Sequence, residues 1–359
     1  MYCKQSSYVN FRNIEKQTLT FENGVNLIYG NNAQGKTNAL EGIFLCAQGR
    51  SNRCSKEKDF IKFGSDHALV EIQYADKIRD DCSLYIKYLS NGRKHCAKNG
   101  VPLSKMSAFI GNFRAILFTP EHLAIVKSGP GERRHFIDCA LSQLYPSYLV
   151  SLQNYARILM QRNKLLSDFQ SDSSAFRDTL CLWSENLAAE CERISRAREE
   201  YISSLSALAR DIFSDMTSGR EVLDITYGLS KSKEEYLRLL TENIDTELKY
   251  KTTLYGIHKD DIDIKINNNK ARIFASQGQQ RSASLAMKLS EGEISKTICG
   301  EYPVFLFDDI LSELDPSRKD YIMHGISGRQ VIITACEDIG ASLAKGAKKI
   351  YCQNGKFYE

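Results

Sequence analysis

Glycines at positions 30 and 35, followed by lysine and threonine, set a G-x-x-x-x-G-K-T spacing in Gly30-Asn31-Asn32-Ala33-Gln34-Gly35-Lys36-Thr37. Glycine lets the backbone turn tightly enough for successive N–H groups to converge on phosphate oxygens. Lys36 then reaches the β and γ phosphates, and the Thr37 hydroxyl holds Mg²⁺. Chance supplies such an octapeptide in roughly one chain of this length in a hundred, so the segment predicts a nucleoside triphosphate site. A second cluster, Phe305-Leu306-Phe307-Asp308-Asp309, is an apolar run ending in two carboxylates. Asp308 suits Mg²⁺ support beside Thr37, and Asp309 suits a general base on attacking water. The third is Ser276-Gln277-Gly278-Gln279, with helix-forming Arg281-Ser282-Ala283-Ser284-Leu285-Ala286-Met287-Lys288-Leu289 behind it. That order puts Ser276 and Gly278 near a positive helix end.

These groups work only if the surrounding elements aim them. Gly24–Tyr29 is apolar and alternating, which predicts a buried strand, and Asn38–Leu45 carries apolar residues at helical spacing. Strand, glycine loop and helix together form the context that a phosphate loop requires. His67–Tyr74 and Cys82–Tyr88 read as strands, and Asn91-Gly92 and Asn99-Gly100 are hairpin signals, so an antiparallel layer is expected beside the nucleotide sheet. From about Glu132 to Tyr250 strand-like runs disappear. Leu187, Cys191, Ile194, Ile202 and Leu205 form a stripe that reads as ordinary helix packing. Tyr302–Phe307 and Gln330–Ala335 read as buried parallel strands, with a helix near Ser317–Ile326 between them. Lys349–Cys352 and Lys356–Tyr358 flank Asn354-Gly355 as a terminal hairpin.

Composition narrows the class. The chain has 359 residues, 42% hydrophobic and 26% charged, which suits two compact units or one nucleotide-binding unit with an insertion. No apolar run is long enough to span a membrane, and the start Met1-Tyr2-Cys3-Lys4 lacks the apolar stretch of a secretory signal. A cytoplasmic setting is expected. Eleven cysteines at irregular spacing, with no C-x-x-C pair, read as reduced, buried thiols. The histidines never occur as H-x-x-x-H, and His258-Lys259-Asp260-Asp261 reads as a structural turn rather than a metal site. A net charge of +4 permits a nucleic-acid partner without demanding one.

The order phosphate loop, Ser-x-Gly-Gln signature, acidic strand and Ser312-Glu313-Leu314-Asp315 resembles the ABC-type ATPases. Within that class the chain resembles the RecF family along its full length. The residues that carry this are Phe11-Arg12-Asn13, Gly49-Arg50-Ser51 and Phe118-Thr119-Pro120-Glu121-His122-Leu123. They continue with Gly131–Asp138, Gln161-Arg162-Asn163-Lys164-Leu165-Leu166 and Gly256–Asp261, and close with Asp308–Asp315. His122 departs from the acid usual there, Gly256 from a common proline. Thr334 stands where most ABC-type ATPases have a switch histidine.

The resemblance implies an α/β fold: an ABC-type P-loop ATPase head with an antiparallel β layer and an inserted α-helical domain. Residues 1–131 and 251–359 would build the head, and 132–250 the insertion. It further implies that Ser276, Gly278 and Gln279 contact ATP bound to a second subunit. Asp309 in place of the transporters' glutamate implies slow turnover. The expected activity is a weak DNA-dependent ATPase switch, closing as a homodimer on duplex DNA at single-strand gaps, with RecR and RecO as mediator partners. For DNA contact, Arg50, Arg53 and Lys56 are favoured. Arg133, Arg134, Arg157, Arg162 and Lys164 stay open between phosphate contacts and salt bridges. An SMC-like chromosome organiser shares the motifs but needs a far longer coiled-coil insertion. A transporter subunit would carry Leu-Ser-Gly-Gly-Gln and a switch histidine. A small-molecule kinase has no need of Ser276–Gln279.

Overall fold

Alternating apolar residues and glycine turns build the first half of the chain. In the computed structural model β1 (Tyr2–Phe11) and β2 (Ile14–Thr20) form a hairpin, and β3 (Val25–Tyr29) leads through the phosphate loop into α1 (Lys36–Gln48). Next come β4 (His67–Ala75), β5 (Cys82–Leu89), β6 (Lys94–Lys98), β7 (Val101–Leu103), α2 (Met106–Phe109) and β8 (Ala115–Phe118). A helical stretch follows: α3 (Pro130–Leu144), α4 (Pro146–Ser167) and α5 (Ser174–Met216), then strand β9 (Leu223–Tyr227), α6 (Lys233–Glu242) and α7 (Ile244–Tyr250). The last part runs β10 (Ile262–Ile266), β11 (Asn269–Lys270), α8 (Ala271–Phe274), α9 (Gln277–Cys299), β12 (Val304–Asp308), α10 (Pro316–Gly325), β13 (Val331–Ala335), β14 (Lys348–Gln353) and β15 (Lys356–Tyr358). The structure describes residues 1–51, 53, 56–122, 125–169, 173–325, 328–338 and 346–359, the side chain of Glu313 excepted. Leu123 and Ile326, which the sequence places in a motif and a helix, lie outside the described residues.

The described strands fall into three sheets. One is fully antiparallel, in the order β2-β1-β4-β5-β6-β7. The second runs β15-β14-β3-β13-β12-β8, parallel except for β15 at its edge. Helix α1 lies between the two and touches both, and eleven of its thirteen residues are buried. A helix wrapped on both sides needs no polar face, which explains why burial runs continuously from Ala39 to Gln48, beyond the apolar spacing that marks the helix. Its close seat against β1 depends on Gly42, where a Cβ would come within 2.5 Å of the Tyr8 ring.

Helices α9 and α10 cover the other face of the parallel sheet, through Leu285, Leu289 and Ile322 against Phe305, Phe307 and Ile333. The opposite flank of α9, at Ala283, Ala286, Met287 and Ile294, joins the core of the helical insertion. One helix thus belongs to both cores. The small sheet β11-β10-β9 departs from the sequence reading, which expects no strand between Glu132 and Tyr250. Leu223-Asp224-Ile225-Thr226-Tyr227 is too short to stand out beside long helices, and its partner β10 lies almost forty residues downstream.

Candidate nucleotide site

The phosphate loop is shaped by contacts that no local spacing reveals. Gly30 sits at φ +148°, and a Cβ there would meet the Cys352 carbonyl oxygen of β14 at 2.2 Å. Gly35 sits at φ +118°, and a Cβ would meet the Asn13 amide at 2.8 Å. Asn13, in the β1–β2 turn, donates to the Gln34 carbonyl at 3.0 Å and accepts from Asn38 at 2.8 Å. From the C-terminal hairpin, Gly355 N donates to the Gln34 carbonyl at 2.8 Å and Asn354 N to its side-chain Oε1 at 2.6 Å. The loop is therefore gripped from two sides. Asn13 and the Asn354-Gly355 turn are site residues that the sequence presents only as part of a family run and as a hairpin signal. Their role exists only through distance contacts.

Gly35 is the N-cap of helix α1, and among the described residues no side chain caps the helix. Its first N–H groups are left pointing along the axis, the arrangement that favours an anion. Lys36 is 4% exposed, and its ammonium donates to the carbonyls of Gly30 at 2.6 Å and Asn31 at 2.9 Å. That fixes its charge inside the curve of the loop.

The acidic strand end lies directly beside it. Thr37 Oγ1 donates to Asp308 Oδ1 at 2.8 Å, joining the two residues expected to hold Mg²⁺. A hydroxyl and a carboxylate within one hydrogen bond are the hard oxygen donors that this ion takes. Thr334, at the end of β13, donates to the same Asp308 oxygen at 2.8 Å and accepts from Asp309 N at 3.0 Å. Burial raises the Asp308 pKa above the ordinary carboxylate value. The Thr334 and Thr37 hydroxyls pull it down, the Asp309 charge pushes it up, and Arg53 lowers it. Asp309 itself adopts a left-handed conformation at φ +51°, turning the chain off the strand. The thiol of Cys336 lies 3.8 Å from its Oδ1 and donates to Asn32 Oδ1 at 2.9 Å, linking strand end to loop.

The signature starts α9 as expected. Ser276 is its N-cap in a full capping box: Oγ accepts from Gln279 N at 3.2 Å, and Gln279 Oε1 accepts from Ser276 N at 2.7 Å. Gln279 also donates to Glu221. Arg318 of α10 reaches across to the Gly278 carbonyl at 3.3 Å and Ser282 Oγ at 2.7 Å, while its guanidinium pairs with Asp315. Sequence spacing gave no sign of this bracket. Among the described residues, the signature's bonds go to its own helix, Glu221 and Arg318, and none reaches Gly30–Thr37. Ser276 and Gln277 are exposed.

The basic candidates separate clearly. Arg133 is buried and bidentate on Asp261 at 2.6 and 2.7 Å, and Arg134 donates to the Asp260 carbonyl at 2.7 Å. Arg162 is fully buried on Glu247 at 2.6 Å, with Ser184 and Thr253 completing its hydrogen bonds. Arg162 braces the insertion internally, while Arg133 and the half-buried Arg134 tie α3 to the Asp260-Asp261 segment. The buried guanidiniums of Arg133 and Arg162 are tolerable only because they are paired. Arg157 and Lys164 are exposed. His258 bonds Tyr155 at 2.5 Å and the Thr253 carbonyl at 3.1 Å, as a turn residue would. Arg53 bonds Asn38 and pairs with buried Glu41, which Arg12 also holds bidentately at 2.9 and 3.0 Å. Arg50 is exposed with its guanidinium 3.4 Å from the Cys139 thiol, and Lys56 is exposed. The ten described cysteines are all free thiols, six of them buried. Among the described residues no helix is long and apolar enough to cross a membrane.

The family described as RecF/RecN/SMC N terminal domain matches residues 3–358. The DNA replication and repair protein RecF of Acetivibrio thermocellus is 38% identical over 350 residues, 94% of this chain and 94% of its own length. That of Clostridium novyi is 39% identical over 339 residues, covering 93% and 92%. The solved structure of the recombination mediator protein RecF with ATP, of the RecFOR pathway, has a TM-score of 0.92 at 34% identity, covering 99% of this chain and 97% of that one. An Smc head bound to the C-terminal winged-helix domain of ScpA has a TM-score of 0.58 at 16% identity, over 99% and 96%, and so shares the fold alone.

Proposed function

The chain belongs to the RecF family, and on that premise we propose that it is an ATP-operated clamp on DNA in recombinational repair and replication. One observation carries the reading. The loop, Thr37, Asp308 and Thr334 form one connected half-site, whereas the Ser276 signature of the same chain is exposed and bonded elsewhere. Each chain then offers a half-site and a signature for another copy, so ATP closes a homodimer from two incomplete sites.

Within that dimer Lys36 and the loop N–H groups hold the phosphates. Thr37 and Asp308 would hold Mg²⁺, which supplies charge neutralisation on the phosphate oxygens. Asp309 accepts a proton as water oxygen bonds the γ phosphorus and the bridge to the β phosphate breaks. An aspartate reaches less far than a glutamate, which favours a slow timer over a fast motor. Arg53, tied to the half-site through Asn38 and Glu41, would take duplex phosphates near a gap together with exposed Arg50 and Lys56. RecR and RecO are the mediator partners, in the cytoplasm. The SMC-like alternative is weakened by α5, the 43-residue helix, which packs along α4 and α9 instead of projecting as a coiled coil.

Sedimentation velocity with and without ATP tests this reading. Wild type should dimerise on ATP. Ser276→Arg should bind ATP as wild type does yet stay monomeric, because a bulky cation replaces the exposed cap. ATP-driven dimers of Ser276→Arg, or wild type that stays monomeric with ATP and gapped duplex, would overturn it.

A further inference from the structure

Between a short 3₁₀ turn (Glu57–Phe60) and β4, the chain makes a hydrogen-bonded projection. Phe11 bridges Ile61, Arg12 N donates to the Phe60 carbonyl at 2.7 Å, and Lys62 N donates to the Asn10 carbonyl at 2.8 Å. Ser65 N then returns to the Lys62 carbonyl at 3.0 Å, and Ser90 N holds the Asp66 carbonyl at 2.9 Å. This closes a β-turn with Phe63 second and Gly64 third, at φ +82°. A positive φ in the third place is the type II pattern, which explains the glycine. It asks nothing of the second residue. Yet Phe63 is there, 102% exposed, while Phe60 three positions back is 1% exposed and packed on Phe11 and Tyr88. Among the described residues the Phe63 ring covers nothing, on a turn hydrogen-bonded at both ends.

The same segment carries cations. Lys56 and Lys58 are exposed, Lys62 is partly exposed with its ammonium on Glu15, and Arg53 is about half exposed on Glu41. Acids stand among them: Glu57 pairs with Lys94, and Asp59 and Asp66 flank the turn. The segment is also tied to the nucleotide. Arg12 joins it to Glu41 of α1, and Asn13 continues to Gln34 of the phosphate loop.

We propose that Phe63 is a stacking ring for a nucleobase exposed where duplex meets single strand, with the cations of its segment on the adjoining phosphates. This rests on the DNA-binding reading above and adds what that reading lacks, a source of discrimination. Phosphate contacts are alike on intact and interrupted duplexes. A base face is open to an aromatic ring only at a gap, end or unpaired position, and such stacking is indifferent to sequence. A pre-set turn presents the ring without further ordering.

Fluorescence anisotropy on a gapped duplex and an intact duplex of equal length tests this, with ATP present. Phe63→Ala and Phe63→Leu should weaken gapped binding about 5-fold or more, the lower end of one lost base stack, and leave intact-duplex binding as in wild type. Phe63→Trp should keep the preference and quench 2-aminopurine placed at the gap edge. Wild-type gap affinity in Phe63→Ala, or equal losses on both DNAs, overturns the proposal. So does a defect confined to ATP-driven self-association, which would make the ring a contact for a second copy. Wild type that binds neither DNA overturns the DNA reading itself, an outcome distinct from any variant's behaviour.

Discussion

Thr334 does at one hydroxyl what a longer side chain would do at a distance. It donates to Asp308 Oδ1 and accepts from Asp309 N, so a single rotamer sets the Asp308 carboxylate beside Thr37 and the backbone from which Asp309 projects. A hydrogen bond to a charged acceptor contributes about 1.5–3 kcal/mol, which corresponds to about 10- to 100-fold in rate. Thr334→Val should lower ATP turnover by that factor while nucleotide binding, through the loop and Lys36, stays close to wild type. It also removes a group that lowers the Asp308 pKa, already raised by burial. The acid limb of the turnover–pH profile should therefore move to higher pH. Unchanged turnover and an unmoved limb would show that Thr334 does not position the acids. The sequence exposes this residue only as the place of a missing histidine.

At the level of elements, β14 explains why the phosphate loop needs its first glycine. β14 runs parallel to β3, so its backbone passes directly behind Gly30, and the β14–β15 turn bonds Gln34. Gly30→Ala meets both a strained φ and a carbonyl 2.2 Å from the new Cβ, which neither strand can yield without breaking pairing. The melting temperature should fall and ATP should no longer raise it. A Gly30→Ala protein still stabilised by ATP would mean that the hairpin is not part of the site. Asn354-Gly355 reads as a hairpin from the sequence because turn chemistry is local. Its seat beside the phosphate loop comes from a pairing between residues more than three hundred positions apart. The strand β9 was hidden for the same reason, since its partner lies beyond the helices.

Across the whole molecule, α9 joins the two cores: its N-terminus is the signature, one flank lies on the parallel sheet and the other in the insertion. Such burial also traps titratable groups. Burial and, less strongly, Lys288 push the His122 pKa down to about 3, and burial lowers His135 and His258 as well. The unfolded chain, with histidine near 6.5, takes up protons that the fold refuses. Stability should be full well above pH 6.5 and fall as pH drops toward 3, with His122 alone removing about 2 kcal/mol between pH 7.5 and 5. Urea unfolding at pH 7.5 and 5 measures this, and His122→Gln should flatten the slope. Equal slopes for both proteins would place the acid sensitivity elsewhere.

Chemistry that depends on consecutive residues was readable from the chain alone. The phosphate loop, the Asp308-Asp309 pair, the Ser276 helix cap and the parallel strands around them follow from spacing, composition and turn preference. So does the family, because its motifs are runs. Tertiary structure decided what depends on distant backbones meeting. It made Arg133 and Arg162 internal braces, set Asn13 and the terminal hairpin against Gln34, bracketed the signature with Arg318, and left Phe63 in water. Charge and polarity make a residue suitable for several roles, and only burial and the partner it finds select one.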